Sequence, residues 1–279
     1  MRRGVLTGTT IEVTPYYIES VFASEEFTGR LAEICYGPES RKNERAFVVG
    51  NYFSRPEFRL SRTETGFRRP LRKYGHVPHG KSGYVVATGG HSIDQRDITW
   101  ELIDESDELL YLWSFHSHLK THLDQGTLLG LKPSGRDLIH DAEMRQNVYL
   151  KAAGVNCRPI NGIFQRHEGN IYLLIYQEPT ENPALQIPEV EQRIVQIDGF
   201  WLRMTQPQMA LIKSKSPIEQ VKYVVDVVKR LTPFQAAALV YERRDGIYTL
   251  TEESKLELPR FAHTVEFYPL PKEVQEVSP

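Results

Sequence analysis

Residues 109–118, LLYLWSFHSH, place two histidines directly after a long apolar run. Leu109 to Phe115 are apolar or small throughout, and such a run between polar segments is typical of a buried strand. In a strand, residues i and i+2 project to the same face, so His116 and His118 present their imidazoles side by side while Ser117 faces away. The segment therefore predicts a central strand whose end carries two nitrogen donors.

Two imidazoles on one face of a strand end are suited to bind a single metal ion. Imidazole nitrogen suits Zn²⁺, and a catalytic zinc typically takes three protein ligands and leaves one position for water. Asp137 is the candidate third ligand, because Ser134 is a candidate N-cap and the third helical position turns its side chain back over the helix N-terminus. Taken alone, Ser134-x-x-Asp137 is also a plain helix cap, and a histidine pair can be satisfied by ordinary hydrogen bonds.

The rest of the sequence predicts a mixed α/β protein in two parts. A turn-rich stretch, residues 178–183, separates a first domain, 1–178, from a mostly helical C-terminal extension, 184–279, which is a possible interaction module. Strands are predicted at 11–13, 46–53, 84–87, 109–115, 162–165, 171–177 and 247–250, and helices at 17–36, 134–151, 189–204, 217–231 and 233–243.

Composition and charge exclude several classes of protein. The 279 residues are 40% hydrophobic and 25% charged with a net charge of -2, so nothing draws the whole chain to nucleic acid. Cys35 and Cys157 are far apart and lack a metal-binding or redox spacing. No apolar run reaches about 18 residues and no signal peptide is apparent, which predicts a cytoplasmic protein with no membrane partner.

One segment is locally basic. Residues 55–81 hold six arginines and two lysines against two glutamates, with scattered glycine and proline. The pattern predicts a long loop or hairpin, which is either a solvated excursion or a docking surface for an acidic partner.

The histidine pair followed by a serine and an aspartate resembles the motif of the JAMM (MPN+) metalloproteases. In that family a glutamate precedes His-Ser/Thr-His and then Ser-x-x-Asp, as in His116-Ser117-His118 and Pro133-Ser134-Gly135-Arg136-Asp137 here. The resemblance covers roughly residues 10–178. It implies an α+β fold with an MPN or cytidine-deaminase-like mixed sheet flanked by helices. It also implies a Zn²⁺ held by His116, His118 and Asp137, with Ser134 helping to stabilise the oxyanion.

The resemblance also implies a glutamate that acts as general base. The family places it at the start of an apolar strand several tens of residues before the histidines, with a glycine shortly after. Glu44, ahead of residues 46–53 and of Gly50, fits that description. Other glutamates lie in the basic segment or too close to the histidine pair: Glu57, Glu64, Glu101 and Glu105.

Two features depart from the family pattern. Leu119 follows the histidine pair where proline is usual, and fifteen residues, 119–133, precede the serine where seven to ten are usual. The longer loop predicts that Thr127 to Leu131 form a flap over a substrate. His122 within this loop is interpreted as a surface histidine.

The implied activity is that of a deubiquitinase-like zinc isopeptidase or peptidase. It would cleave after the C-terminus of a ubiquitin-like protein bound as an extended strand, with Glu44 moving a proton from a zinc-activated water to the leaving amine. One alternative is an MPN-type scaffold with little or no activity, assembling with a partner or a second copy through residues 184–279. Another is an amidohydrolase or PHP-type barrel, which needs more late histidines than His167 and His263.

Overall fold

The structure is a computed structural model, and it describes only part of the chain. The described residues are 10–12, 15–37, 44–52, 58–60, 63–65, 67–73, 87–92, 109–118, 127–134, 137, 160–177, 196–201, 203–232, 234–256 and 262–264. Within them the protein is mixed α/β, with a mixed sheet that carries helices against both faces.

The strands of the described residues form one large sheet and two small ones. They are β1 (Thr10–Glu12), β2 (Arg45–Tyr52), β3 (Phe58–Leu60), β4 (Glu64–Thr65), β5 (Phe67–Lys73), β6 (Ala87–Ser92), β7 (Leu109–Ser117), β8 (Ile160–His167), β9 (Asn170–Gln177), β10 (Gln235–Arg244), β11 (Ile247–Leu250) and β12 (Ala262–Thr264). The large sheet runs in the order β11, β10, β9, β8, β7, β2, β3, and β4 also pairs with β2. Its β7 and β8 are parallel, while its other pairings are antiparallel. The small sheets pair β1 with β12 and β5 with β6.

Several of the described helices begin at residues suited to cap them. The described helices are α1 (Pro15–Phe22), α2 (Glu25–Tyr36), α3 (Gln206–Lys213), α4 (Pro217–Leu231) and α5 (Glu252–Leu256), besides a 3-10 turn at Leu129–Leu131 and a helical segment at 196–201. The helix predicted over 217–231 is confirmed as α4, where Pro217 is the first helical residue and the N–H of Ser216 donates to the Glu219 carboxylate at 2.8 Å. No described helix is long and apolar enough to cross a bilayer.

The prediction of one helix over 17–36 is wrong, since the chain breaks into α1 and α2. Ser24 is extended and its hydroxyl accepts a hydrogen bond from the Phe27 N–H at 3.2 Å, which starts a new helix. The break lets Phe22 stack on Trp113 and Phe27 pack edge-on against Phe115, with ring centroids 5.5 and 5.1 Å apart. The interruption at Ser24 thus accompanies packing of both phenyl rings against aromatic side chains of the sheet.

Strand alternation divides the interior into two cores. Trp113 and Phe115 of β7 face the side covered by α1 and α2. The opposite face packs against residues 127–131 and against α3 and α4, and Ile163 of β8 is part of that core. His116 and His118 differ from Phe115 by odd steps along the strand, so they lie on the α4 side of the sheet.

The helix predicted over 233–243 is also wrong, because Gln235–Arg244 form strand β10. Ala236 and Ala238 face the α4 side, while Ala237 and Leu239 face the other core. β10 pairs along β9, with Gln235 opposite Gln177 and Tyr241 opposite Ile171. The C-terminal part of the chain thus adds strands to the sheet as well as helices, and the predicted boundary at 178–183 lies outside the described residues.

Other predictions are met or fall outside the described residues. Five predicted strands are confirmed with every end within two residues of the prediction: 46–53, 109–115, 162–165, 171–177 and 247–250. Within the basic segment, residues 67–73 form β5, which pairs antiparallel with β6 outside the segment. Of the helix predicted over 134–151, only Ser134 and Asp137 are described, and His122 and Cys157 lie outside the described residues.

Candidate metal centre

The two histidines converge at the end of β7. Their Nε2 atoms lie 2.9 Å apart, and their side chains are only 12% and 17% exposed. The parallel neighbour β8 and the antiparallel neighbour β2 hold the strand on both sides, with His116 in register with Ile163 and with Ala46. The strand geometry predicted for His-x-His is therefore present, and both imidazoles point to one place.

The Asp137 carboxylate contacts both histidines. Its Oδ1 lies 3.1 Å from the His116 Nε2, and its Oδ2 lies 3.2 Å from the His118 Nε2. The carboxylate also accepts hydrogen bonds at Oδ2 from the Ser134 N–H and hydroxyl, at 2.7 and 2.8 Å. The capping interpretation and the ligand interpretation of Ser134-x-x-Asp137 are thus compatible, because the cap holds the carboxylate in the position that a ligand needs.

The spacing of the three side chains suits a small cation. Ligand atoms about 2.0–2.1 Å from a tetrahedral zinc lie about 3.3 Å from one another. The two Nε2 atoms are 2.9 Å apart, and each lies 3.1 or 3.2 Å from a different oxygen of the Asp137 carboxylate. Taken as one atom from each residue, the three candidate ligand atoms lie within 4.8 Å of one another. They also form the only group of three or more possible metal ligands among the described residues. Two nitrogens and one oxygen at this spacing could hold a metal ion.

A backbone carbonyl fixes the tautomer of His118. The His118 Nδ1 lies 3.0 Å from the Gly130 carbonyl oxygen. Because a carbonyl oxygen only accepts, Nδ1 carries the hydrogen, and the lone pair of the neutral ring is left on Nε2. Metal-ligating histidines are oriented in this way by a partner on the other ring nitrogen. Nε2 is the atom that faces His116 and Asp137.

Without a metal, the three groups are electrostatically coupled. Burial alone would raise the pKa of Asp137, but the adjacent imidazoles of His116 and His118 bring it well below its ordinary value. Burial alone would lower the pKa of His118, but the charge and hydrogen bond of Asp137, the charge of Glu44 and the Gly130 carbonyl raise it. The place at which the three side chains converge therefore favours positive charge.

Glu44 lies on the same side of the sheet as the histidine pair. Ala46 pairs with His116, and continuing this antiparallel register places Glu44 opposite His118. Opposite residues of an antiparallel pair project to the same face. The negative charge of Glu44 also contributes to the raised pKa of His118. The structure therefore brings together the glutamate and the three candidate ligands.

Arg45 holds the chain next to Glu44. Its N–H donates to the Ser117 Oγ at 3.1 Å, and its guanidinium contacts the Glu33 carboxylate at 3.0 Å. Gly37 leaves room for this arrangement, because a Cβ there would lie 2.6 Å from the Glu33 carbonyl oxygen and 3.0 Å from the Arg45 Nη1. Backbone and side chain of Arg45 thus fix the start of β2 between β7 and α2.

The prediction of a flap at Thr127 to Leu131 is wrong. Leu128, Leu129 and Leu131 are buried in the core beside α4, and Thr127 is fully buried. The closely spaced leucines were a sign of burial in the sequence. The role of Gly130 left no such sign, since it acts through its backbone carbonyl. The hydroxyl of Ser134 donates to Asp137, and its predicted role at an oxyanion stays a prediction.

Comparisons of the whole chain with protein-family models, with curated proteins and with solved structures found no match. The case for a function therefore depends on the geometry of the site and on the residues that form it.

Proposed function

We propose that the protein is a zinc-dependent peptidase or isopeptidase of the JAMM type, with the corresponding MPN-like fold. The observation that carries the proposal is the convergence of His116, His118 and Asp137, whose candidate ligand atoms lie within 4.8 Å of one another. The Gly130 carbonyl leaves the required lone pair on the His118 Nε2. His116, His118 and Asp137 would hold Zn²⁺. A zinc ion there would supply Lewis acidity, lowering the pKa of a water towards about 7 and polarising the scissile carbonyl.

Glu44 would act as the general base and acid. The strand register places it on the face of the sheet that carries the histidines, and its charge contributes to the raised pKa of His118. It would take a proton from the attacking water, whose oxygen bonds to the scissile carbonyl carbon. It would then return that proton to the amine nitrogen as the carbon–nitrogen bond breaks, which leaves a carboxylate and an amine. Ser134 would assist the oxyanion.

The substrate follows from the same resemblance. We propose the amide or isopeptide bond after the C-terminus of a ubiquitin-like protein, bound as an extended strand. Main-chain hydrogen bonds supply affinity in strand addition, and they need an edge of the sheet beside the site. β3 and β4 pair with the side of β2 that faces away from β7, so they form the edge of the sheet on that side. The substrate strand would be added at this edge.

The test combines metal content with hydrolysis. Purified protein is assayed for zinc by elemental analysis and for cleavage of C-terminal fluorogenic amides of ubiquitin and several ubiquitin-like proteins. Glu44→Gln should lower the rate by about 10²-fold or more, because a positioned base contributes 10²–10⁴-fold, and should leave the zinc in place. Glu26→Gln, an exposed glutamate of α2, is the matched control and should change neither quantity.

Two results would count against the proposal. Wild-type protein that takes up no zinc would favour the scaffold alternative. Undiminished hydrolysis by Glu44→Gln would remove Glu44 as the base.

A further inference from the structure

We propose that Gln220, on helix α4, is a positioning residue for the metal ligand His118 and acts through residues 127–131. This inference rests on the metal site of the proposed function and assigns part of its metal affinity to the C-terminal region of the chain. Gln220 lies 102 positions after His118 in the sequence. It touches none of the proposed ligands in any described contact, so its effect would be indirect.

The connection is a short series of hydrogen bonds. The Leu128 N–H donates to the Gln220 Oε1 at 2.8 Å, and both groups are buried. Two residues further on, the Gly130 carbonyl accepts from the His118 Nδ1 at 3.0 Å. The Gln220 Nε2 in turn donates to the Lys215 carbonyl at 3.0 Å, which fixes the amide orientation so that Oε1 faces the segment. Each step is directional and joins α4 to the imidazole.

A second glutamine holds the same segment from the sheet. The Gln165 Nε2 donates to the Thr127 carbonyl at 2.8 Å. Gln165 is on β8, and continuing the parallel register of β7 and β8 places it beside His118 on the same face. Residues 127–131 are therefore fastened at Thr127 to the sheet and at Leu128 to α4, immediately before the carbonyl that orients the histidine.

Burial of the leucines does not by itself explain this arrangement. Hydrophobic burial of Leu128, Leu129 and Leu131 is favourable, but it is not directional. A hydrogen bond weakens steeply when its angle or length departs from the optimum, so the Gly130 carbonyl must be held in one orientation to serve the His118 Nδ1. The 3-10 turn supplies part of that restraint through the Lys132 N–H to Leu129 carbonyl bond at 3.1 Å. The two glutamine amides supply the anchor to the rest of the protein.

The test replaces the glutamine with a side chain of similar length that lacks the acceptor. Gln220→Met should weaken zinc binding about tenfold, at the low end of the 10–100-fold effect of partners that orient ligands. Zinc affinity is measured by competition with a chromophoric chelator. The visible spectrum of the Co²⁺-substituted protein reports ligand geometry and should change in this variant.

Val228→Ala, eight residues further along α4, is the control for general destabilisation. Val228 is fully buried in the same core, so this variant should lower the melting temperature while leaving zinc affinity and the Co²⁺ spectrum unchanged. If Gln220→Met does not fold, Gln165→Met removes the donor to Thr127 and carries the same expectation.

The outcomes separate this inference from the proposed function. Wild-type protein that binds neither Zn²⁺ nor Co²⁺ would overturn the metal centre itself. If the wild-type protein binds Zn²⁺ and Co²⁺ but the glutamine variant matches Val228→Ala in zinc affinity and Co²⁺ spectrum, only the role of Gln220 would be overturned.

Discussion

Replacing Asp137 with asparagine is the sharpest test of the metal centre, because it changes charge with little change in shape. The Asp137 oxygens lie 3.1 and 3.2 Å from the two Nε2 atoms, and the side chain is only 14% exposed. A carboxylate about 2.0 Å from a divalent cation gains about 4 kcal/mol even at the dielectric constant of water. Asp137→Asn should therefore weaken zinc binding about a thousandfold.

The fold of this variant should be retained. The asparagine carbonyl oxygen can still accept the hydrogen bond from the Ser134 N–H that the carboxylate now accepts at 2.7 Å. Zinc affinity is measured by chelator competition, and the melting temperature of the metal-free protein is measured alongside. Asp226→Asn on the exposed face of α4 is the matched control and should bind zinc as the wild type does. A loss of less than tenfold for Asp137→Asn would refute the assignment of Asp137 as a ligand.

Two further predictions concern stability. In the metal-free protein, the raised pKa of His118 contributes stability that is fully present below pH 6.5 and is lost as the pH rises through the pKa of the folded state. The lowered pKa of Asp137 contributes stability that is present above pH 3.8 and is lost as the pH falls. The melting temperature of chelator-treated protein should therefore be highest between pH 3.8 and pH 6.5. A melting temperature that continues to rise from pH 6.5 to 8.5 would contradict the electrostatic interaction between His118 and Asp137. Gly162→Ala should destabilise the protein by about 1–3 kcal/mol in denaturant unfolding, because the added Cβ would meet the Phe115 ring, with Cε1 at 2.7 Å. Gly29→Ala, in α2 with nothing within 4 Å, should instead stabilise it by about 0.5–1 kcal/mol, and equal effects of the two alanines would show that packing at Gly162 is not tight.

The site was largely predictable because its residues obey local rules. The period of a strand places His116 and His118 on one face, and capping at Ser134 brings Asp137 back over a helix start. Neither inference needs knowledge of distant contacts. The register that places Glu44 opposite His118 is different, since strand pairing is not given by either segment alone.

The errors in the predicted fold share a physical cause. The segment predicted as a helix over 233–243 contains three consecutive alanines, and alanine has the highest helix propensity. In the protein, small side chains on both faces let β10 lie between two cores, and pairing with β9 overrides the local preference. The break at Ser24 is likewise accompanied by aromatic contacts with β7, which is distant in the sequence.

The roles of Gly130, Gln165 and Gln220 were not predictable from the sequence. Glutamine is common on surfaces, and nothing near positions 165 or 220 distinguishes a buried amide from an exposed one. Their partners are backbone groups of residues 127–128, which carry no information about amino-acid type.

The alternation along β7 has a consequence for how the gene can vary. Trp113 and Phe115 serve one core, while His116 and His118 serve the other side. Inserting or deleting a single codon between them would exchange the two sides, sending a phenyl ring to the cation site and an imidazole into the aromatic interior. Insertions and deletions should therefore be selected against within this strand during evolution.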